Sequence, residues 1–199
     1  MSGHGFHVHG PHDHAVEHAA HGNDDFSSSI AVTTAILATV GALFGYMGGA
    51  TQNDAAMFKN DAAIKKTEAS NQWNYYQSKS SKQNLSELAM ALPGVNVSKY
   101  EDEVKRYKKE KEEIKKVAEK LEAESKAFEE KSDNAMHAHH QWALATTAEQ
   151  VAISLAAITL LTKKKWLQKT AYAVAALGFM LGTFAWLHID PFAKLFGAS

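Results

Sequence analysis

The sequence predicts an all-α membrane protein: three transmembrane helices with a long antiparallel coiled-coil hairpin between the first and second. Three observations predict it. Residues 27–50, 143–162 and 170–190 are apolar, and each is close to the roughly 20 residues that a helical bilayer crossing takes. Residues 51–142 between them are polar and helix-permissive, with a tight turn near their middle. Apolar side chains in that stretch recur every seven residues, the period of a left-handed coiled coil.

Bulk composition hides this plan. The mean hydropathy of −0.30 averages a very polar middle with very apolar flanks. The chain has 199 residues, a formal net charge of −1, three prolines and no cysteine. Without cysteine there are no disulfides, thiolate metal sites or thiol catalysis. The near-neutral charge gives no reason to expect nucleic acid as a partner.

Residues 1–26 form a His- and Gly-rich tail with no apolar periodicity, which reads as disordered when metal-free. His4, His7, His9, His12, His14, His18 and His21 are its metal candidates, and imidazole suits Cu, Ni or Zn. Removal of Met1 would leave Ser2-Gly3-His4. Its free amine, two backbone amides and third-position imidazole match the square-planar preference of Cu(II) and Ni(II). Asp13, Glu17, Asp24 and Asp25 offer oxygen ligands. The rest of the chain calls for no cofactor. The plainer reading of the tail is a solubilising linker that holds metal incidentally.

Residues 27–50 read as the first span rather than a cleaved signal. No Lys or Arg precedes Lys59, and the apolar run Ile30–Met47 exceeds the usual signal core. Ser27, Ser28 or Ser29 can cap its N-terminus. Gly41, Gly45 and Gly49 repeat a small-xxx-small spacing that lets helix backbones approach, and Gly178 and Gly182 repeat it in the third span.

Within 51–142, Ala55, Ala62, Ala69 and Tyr76 lie seven apart, and Leu92-Pro93-Gly94 signals a turn, placed at 93–98. Ser98, with Glu101 three residues on, reads as a capping box opening the second arm. That arm carries the seam residues Tyr100, Tyr107, Ile114, Leu121 and Phe128, with Val104 and Ala118 at the complementary seam position. Lys111 and Ser125 share that position and weaken the seam, so further chains are expected to help bury it. Eleven basic and eleven acidic residues between 99 and 131 read as a solvated helix face.

Glu149 and Gln150 lie two turns into the second span. An ionisable group there is a functional candidate by default. His137, His139 and His140 precede it as interfacial polar residues, or as a weak metal or pH-sensitive patch. The connection 163–169 holds four lysines, which by the positive-inside rule places it in the cytoplasm. The tail is then cytoplasmic and the hairpin periplasmic. Lys59, Lys65 and Lys66 on the hairpin side argue the reverse. Trp166 and Trp186 suit interfacial anchoring, and residues 191–199 form a C-terminal tail.

No nucleophile elbow, phosphate-cradling loop, HExxH helix or dinucleotide fingerprint occurs, so no enzyme is expected. The run Asn71-Gln72-Trp73-Asn74-Tyr75-Tyr76-Gln77-Ser78-Lys79 is the most distinctive segment. Together with Lys111-Glu112-Glu113, Lys164-Lys165-Trp166-Leu167 and Gly178-Phe179-Met180-Leu181-Gly182, it resembles the bacterial membrane-protein family DUF4337 over most of residues 30–187. Ser78 and Ser132 depart from that pattern, which has Ala and Asp there. The resemblance implies a bacterial inner-membrane protein of the same helical plan and no particular activity. The expected function is a homo-oligomeric scaffold, in contact with membrane lipid, that presents its hairpin to an unidentified protein partner. The rivals are an oligomeric channel or transporter-like protein using Glu149, and a metal-sensing or metal-handling accessory using the tail.

Overall fold

A computed structural model of the protein describes residues 25–189. It contains three helices: α1 (Asp25–Met90), α2 (Val97–Thr162) and α3 (Lys165–Trp186). There is no strand among the described residues. The expected spans and arms are not separate elements, because nothing near Gln52 or Trp142 interrupts the backbone ladder. Thr51 donates its hydroxyl to the carbonyls of Met47 and Gly48, both at 3.0 Å, just past the Gly48-Gly49 pair. Ser27, Ser28 and Ser29 lie inside α1 instead of capping it.

The chain divides into two compact units. One is a hairpin, Asn53–Ala135, and the other combines Met1–Gln52 with Met136–Ser199.

In the hairpin unit, Ala55, Ala62 and Ala69 of α1 are buried, facing a seam in which Val104, Ile114, Ala118, Ser125 and Ser132 of α2 are buried. Tyr100, Tyr107, Leu121 and Phe128 are half-buried beside them. The arms are antiparallel in a fixed register. Ser125 Oγ donates to the Ala62 carbonyl at 2.9 Å and Ser132 Oγ to that of Ala55 at 2.8 Å, so seven residues up one arm match seven down the other. Ser125, expected to weaken the seam, instead bonds across it, because the alanine opposite lets its hydroxyl reach a carbonyl. Lys111 lays its ammonium over the Tyr76 ring, 5.0 Å from the centroid. Flanking contacts include the stacked Phe58 and Phe128 rings and the Lys79–Glu110 ion pair at 2.7 Å.

The turn has the expected six residues but lies two positions earlier, at 91–96. α1 ends at Met90, Pro93 cannot continue it, and Gly94 takes φ +83°, the left-handed region that glycine enters freely. Asn96 accepts the Lys99 N–H at 3.3 Å, so Asn96 caps α2 in place of the expected Ser98.

In the second unit, the expected basic loop 163–169 contracts to Lys163 and Lys164. Lys163 takes φ +52° and donates its N–H to Thr159 O at 2.8 Å. Nothing in Lys165–Lys169 resists helix, so α3 starts as soon as the chain has reversed. α3 buries Leu167, Ala171, Ala175, Gly178, Gly182 and Ala185, one stripe at helical period. Leu37 of α1, Ala152 and Ile153 of α2 and Ala175 of α3 form the apolar centre of this unit.

Candidate functional site

The site grows out of the packing of three thin helix faces. In the three-helix unit α2 turns inward Trp142, Ala145, Glu149, Ala152, Ala156 and Thr159. These positions alternate by three and four, the stripe of a helix packed on both sides. All but Trp142 and Glu149 are small. α1 contributes buried Gly41 and Gly48, and α3 contributes buried Gly178 and Gly182.

Glu149 is fully enclosed, at 0% exposure, and neither carboxyl oxygen meets a hydrogen-bond donor. Space for it comes from the glycines on either side. A Cβ added at Gly178 would lie 2.8 Å from Glu149 Oε1 and 3.1 Å from its Cδ, closer than real Cβ atoms come to an oxygen. A Cβ at Gly41 would sit 3.5 Å from the Glu149 Cβ. The carboxyl therefore occupies the volume that a side chain at 178 would otherwise fill. Gln150 is exposed, and its Nε2 would lie 3.7 Å from a Cβ added at Gly41.

The other glycines divide by phase. At Gly48 a Cβ would meet Trp142 Cβ at 3.4 Å, and at Gly45 it would meet Thr146 Cγ2 at 3.9 Å. At Gly49 it would meet nothing within 4 Å. The close approach on α1 thus runs through Gly41 and Gly48, not Gly41 and Gly49. Seven residues return nearly to the same helix face, whereas eight overshoot it by most of a quarter turn. Gly182 is filled by the Phe44 ring, which a Cβ there would strike. Phe44 also packs on Trp142 and Phe179, with centroids 5.5 and 6.2 Å away. An apolar groove of about 240 Å³ opens beside these rings, lined also by Leu43, Met47 and Trp186.

His139 Nδ1 lies 2.8 Å from the Gly48 carbonyl, so that nitrogen carries the proton of the bond. Its ring stands 5.6 Å from that of His140. Among the described residues no three His, Cys, Asp or Glu side chains are grouped to hold a metal. The tail histidines, His4 to His21, lie outside the described residues.

In the hairpin unit Trp73 Nε1 donates to Glu122 Oε1 at 2.7 Å, at the edge of an open groove of about 730 Å³ between the arms. Trp73 belongs to the most distinctive run of the sequence, which names no partner for it. Glu122 was hidden in the run of charges, and nothing in its spacing marks it out.

A family model described as a domain of unknown function, DUF4337, matches residues 26–188. Neither the curated proteins nor the solved structures contain a match to the chain.

Proposed function

The chain belongs to the DUF4337 family, and we propose that it is a non-enzymatic integral membrane protein. In this reading its three-helix unit crosses the bilayer three times, and its hairpin stands outside the lipid as an assembly module. The observation that carries this reading is the inverted packing of the three-helix unit. Its interior is dominated by glycine, alanine, serine and threonine, with one glutamate and only Ile30, Leu37, Trp142, Ile153 and Leu167 as larger apolar side chains, while Ile36, Leu43, Val151, Ile158, Phe179 and Trp186 face outward. A soluble unit this small would reverse that arrangement, because outward-facing apolar area on this scale is unfavourable in water. Helices packing in lipid gain little from burying apolar side chains and favour small residues at their contacts.

Three further facts support it. α1 and α2 each contain a stretch long and apolar enough to cross a membrane, and only 28% and 33% of those stretches is buried. Hydroxyls along the three helices, including those of Thr34, Thr39, Thr147, Ser154 and Thr183, bond the carbonyl four residues back, leaving little polar demand toward the outside. Trp166 and Trp186 are exposed at opposite ends of α3, where aromatic anchors meet a membrane surface. The location is a bacterial inner membrane, as the family resemblance implies, with the hairpin periplasmic by the density of lysines at 163–169. Self-association is part of the same reading. Gly45 and Gly49 remain exposed on α1, free for a second copy.

Alkaline carbonate extraction tests the core of the reading: the chain stays in the pellet if it spans the membrane, and release into the supernatant refutes it. The native absence of cysteine makes orientation equally direct. A Ser98→Cys chain in intact cells reacts with an impermeant maleimide if the hairpin is periplasmic, and reacts only after lysis if it is cytoplasmic. Replacing Gly45 with Ile lowers the particle mass in native mass spectrometry if that face joins copies. An unchanged mass removes that interface.

The rival reading, an oligomeric channel lined by Glu149 and Gln150, is weaker on geometry. Glu149 is closed off within its own chain, whereas Gln150 is exposed, so the two do not share one enclosed passage.

A further inference from the structure

Glu149 is the only Asp, Glu, His, Lys or Arg in the stretches 26–52, 141–162 and 170–187, the apolar parts of the unit's three helices; Asp25, His137, His139, His140, Lys165 and Lys169 lie on the same helices outside those stretches. The nearest basic side chains along α2 and its end are His140 and Lys163, more than two turns away on either side. Facing it, α1 supplies Gly41 and α3 supplies Gly178. The only titratable side chains of α1 and α3 in these stretches are Tyr46 and Tyr172, and both are exposed.

A carboxylate cannot be left bare in such a place. Burying an isolated charge is far costlier than burying the neutral group, so the anion must acquire a cation. Three partners are conceivable: a basic side chain, a metal ion or a proton. No basic side chain is within these stretches. A metal ion needs several oxygen or nitrogen ligands, and among the described residues Glu149 belongs to no group of three His, Cys, Asp or Glu side chains that could supply them, while both of its oxygens are without a hydrogen-bond partner. We propose that Glu149 is a proton-binding site, the carboxyl being held as the acid in a cradle of Gly41 and Gly178.

The cradle is the independent part of the case. The glycine at 178 leaves room for the carboxyl alone, since an added Cβ would lie within 3.2 Å of the Ala148 Cβ as well as on Glu149. Space has been kept for an ionisable group that contributes no hydrogen bond to the fold, where an apolar side chain would pack without cost. The enclosure is made by the three helices themselves, so the proposal does not depend on a membrane around them.

Infrared spectroscopy of the purified full chain in detergent at neutral pH tests it. The C=O stretch of a neutral carboxylic acid is expected, shifted on transfer to D2O and missing from Glu149→Gln. A wild-type spectrum with carboxylate bands and no acid band overturns the proposal. A second measurement needs no variant. In a protonated carboxyl, dicyclohexylcarbodiimide takes the acid proton on nitrogen and the carboxyl oxygen on its central carbon. The O-acylisourea formed then rearranges to a stable N-acylurea with no atom lost. Peptide mass spectrometry should find one such adduct on Glu149, unchanged by Na⁺, K⁺ or Mg²⁺. Protection by any of these ions makes the site a metal-cation site and overturns the assignment. Loss of the chain from carbonate-washed membranes would refute the membrane reading while leaving the infrared result intact.

Discussion

Ser132 donates a hydrogen bond from its hydroxyl to the backbone carbonyl of Ala55, 2.8 Å away on the opposite helix. That carbonyl already closes a turn of α1, so the serine adds a bond between helices without taking one from within a helix. The contact requires a residue no larger than alanine at 55, which is buried to 1% exposure. Ser125 and Ala62 repeat the arrangement seven residues along.

Each rung is a buried neutral hydrogen bond, and Ser132→Ala should lower the stability of the folded chain by about 1 kcal/mol. Ser125→Ala should do the same. The two sites are separated by a full heptad, so the double variant should lose about the sum. Thermal unfolding followed by circular dichroism reads all three. A double variant as stable as the native chain would mean that the rungs only mark the register.

The glycines of the three-helix unit should separate into two behaviours. Gly178→Ala and Gly182→Ala force the Glu149 carboxyl and the Phe44 ring aside and should each cost about 1–3 kcal/mol by overpacking. Gly49→Ala meets open space and should be neutral or stabilising by about 0.5–1 kcal/mol, through helix propensity. Melting temperatures of the three variants in one detergent test the ordering, and a destabilised Gly49→Ala would contradict the placement of that face.

The Lys79–Glu110 pair predicts a pH dependence with two edges. The Lys79 ammonium, bonded to Glu110, holds that carboxyl below its ordinary range, and the same bond raises Lys79 above the ordinary lysine value. A lowered carboxylate stabilises the fold above its unfolded value and loses that contribution as pH falls through the folded one. A raised lysine stabilises below its unfolded value and loses the contribution as pH rises through the folded one. The gap in melting temperature between the native chain and Lys79→Met should therefore be largest near neutrality. It should shrink below about pH 4 and above about pH 10.4, and added salt should reduce it. A gap constant from pH 3 to pH 7 would rule out the ion pair as its source.

The N-terminal histidines carry a separate expectation. A chain with a free Ser2-Gly3-His4 terminus should take up Cu(II) with the visible absorption of a square-planar nitrogen site. Deletion of residues 2–22 should abolish that absorption. Retention after the deletion would move the site to the remaining histidines, His137, His139, His140 and His188.

The hairpin was legible because a seven-residue repeat of alanine on one arm and of tyrosine, isoleucine, leucine and phenylalanine on the other is a strong periodic signal. The burial of Glu149 beside an exposed Gln150 was hidden only by where the counting stopped. Continued from Phe128 in sevens, the same series reaches Ala135, Trp142 and Glu149. Counted back from Ala55, the alanine series reaches Gly48, Gly41, Thr34 and Ser27, all buried. Within the chain the close approach follows the seven-residue spacing of Gly41 and Gly48, and Gly49 meets open space. The bonds of Ser125, Ser132 and Trp73 were out of reach, because they depend on which arm residue stands opposite, and spacing along one arm carries no such information.

The unbroken count of seven along α1, from Ser27 to Ala69, bears on how the gene can change length. One inserted or deleted residue turns everything beyond it by about 100° and exchanges the small inward positions for outward ones. Seven residues removed from α1 shorten that helix by two turns while every remaining inward position keeps its face. Seven matching residues must then go from α2 if Ser132 is still to find Ala55. Length differences among members of the family should accordingly fall in multiples of seven and come in pairs, one on each side of the Pro93-Gly94 turn.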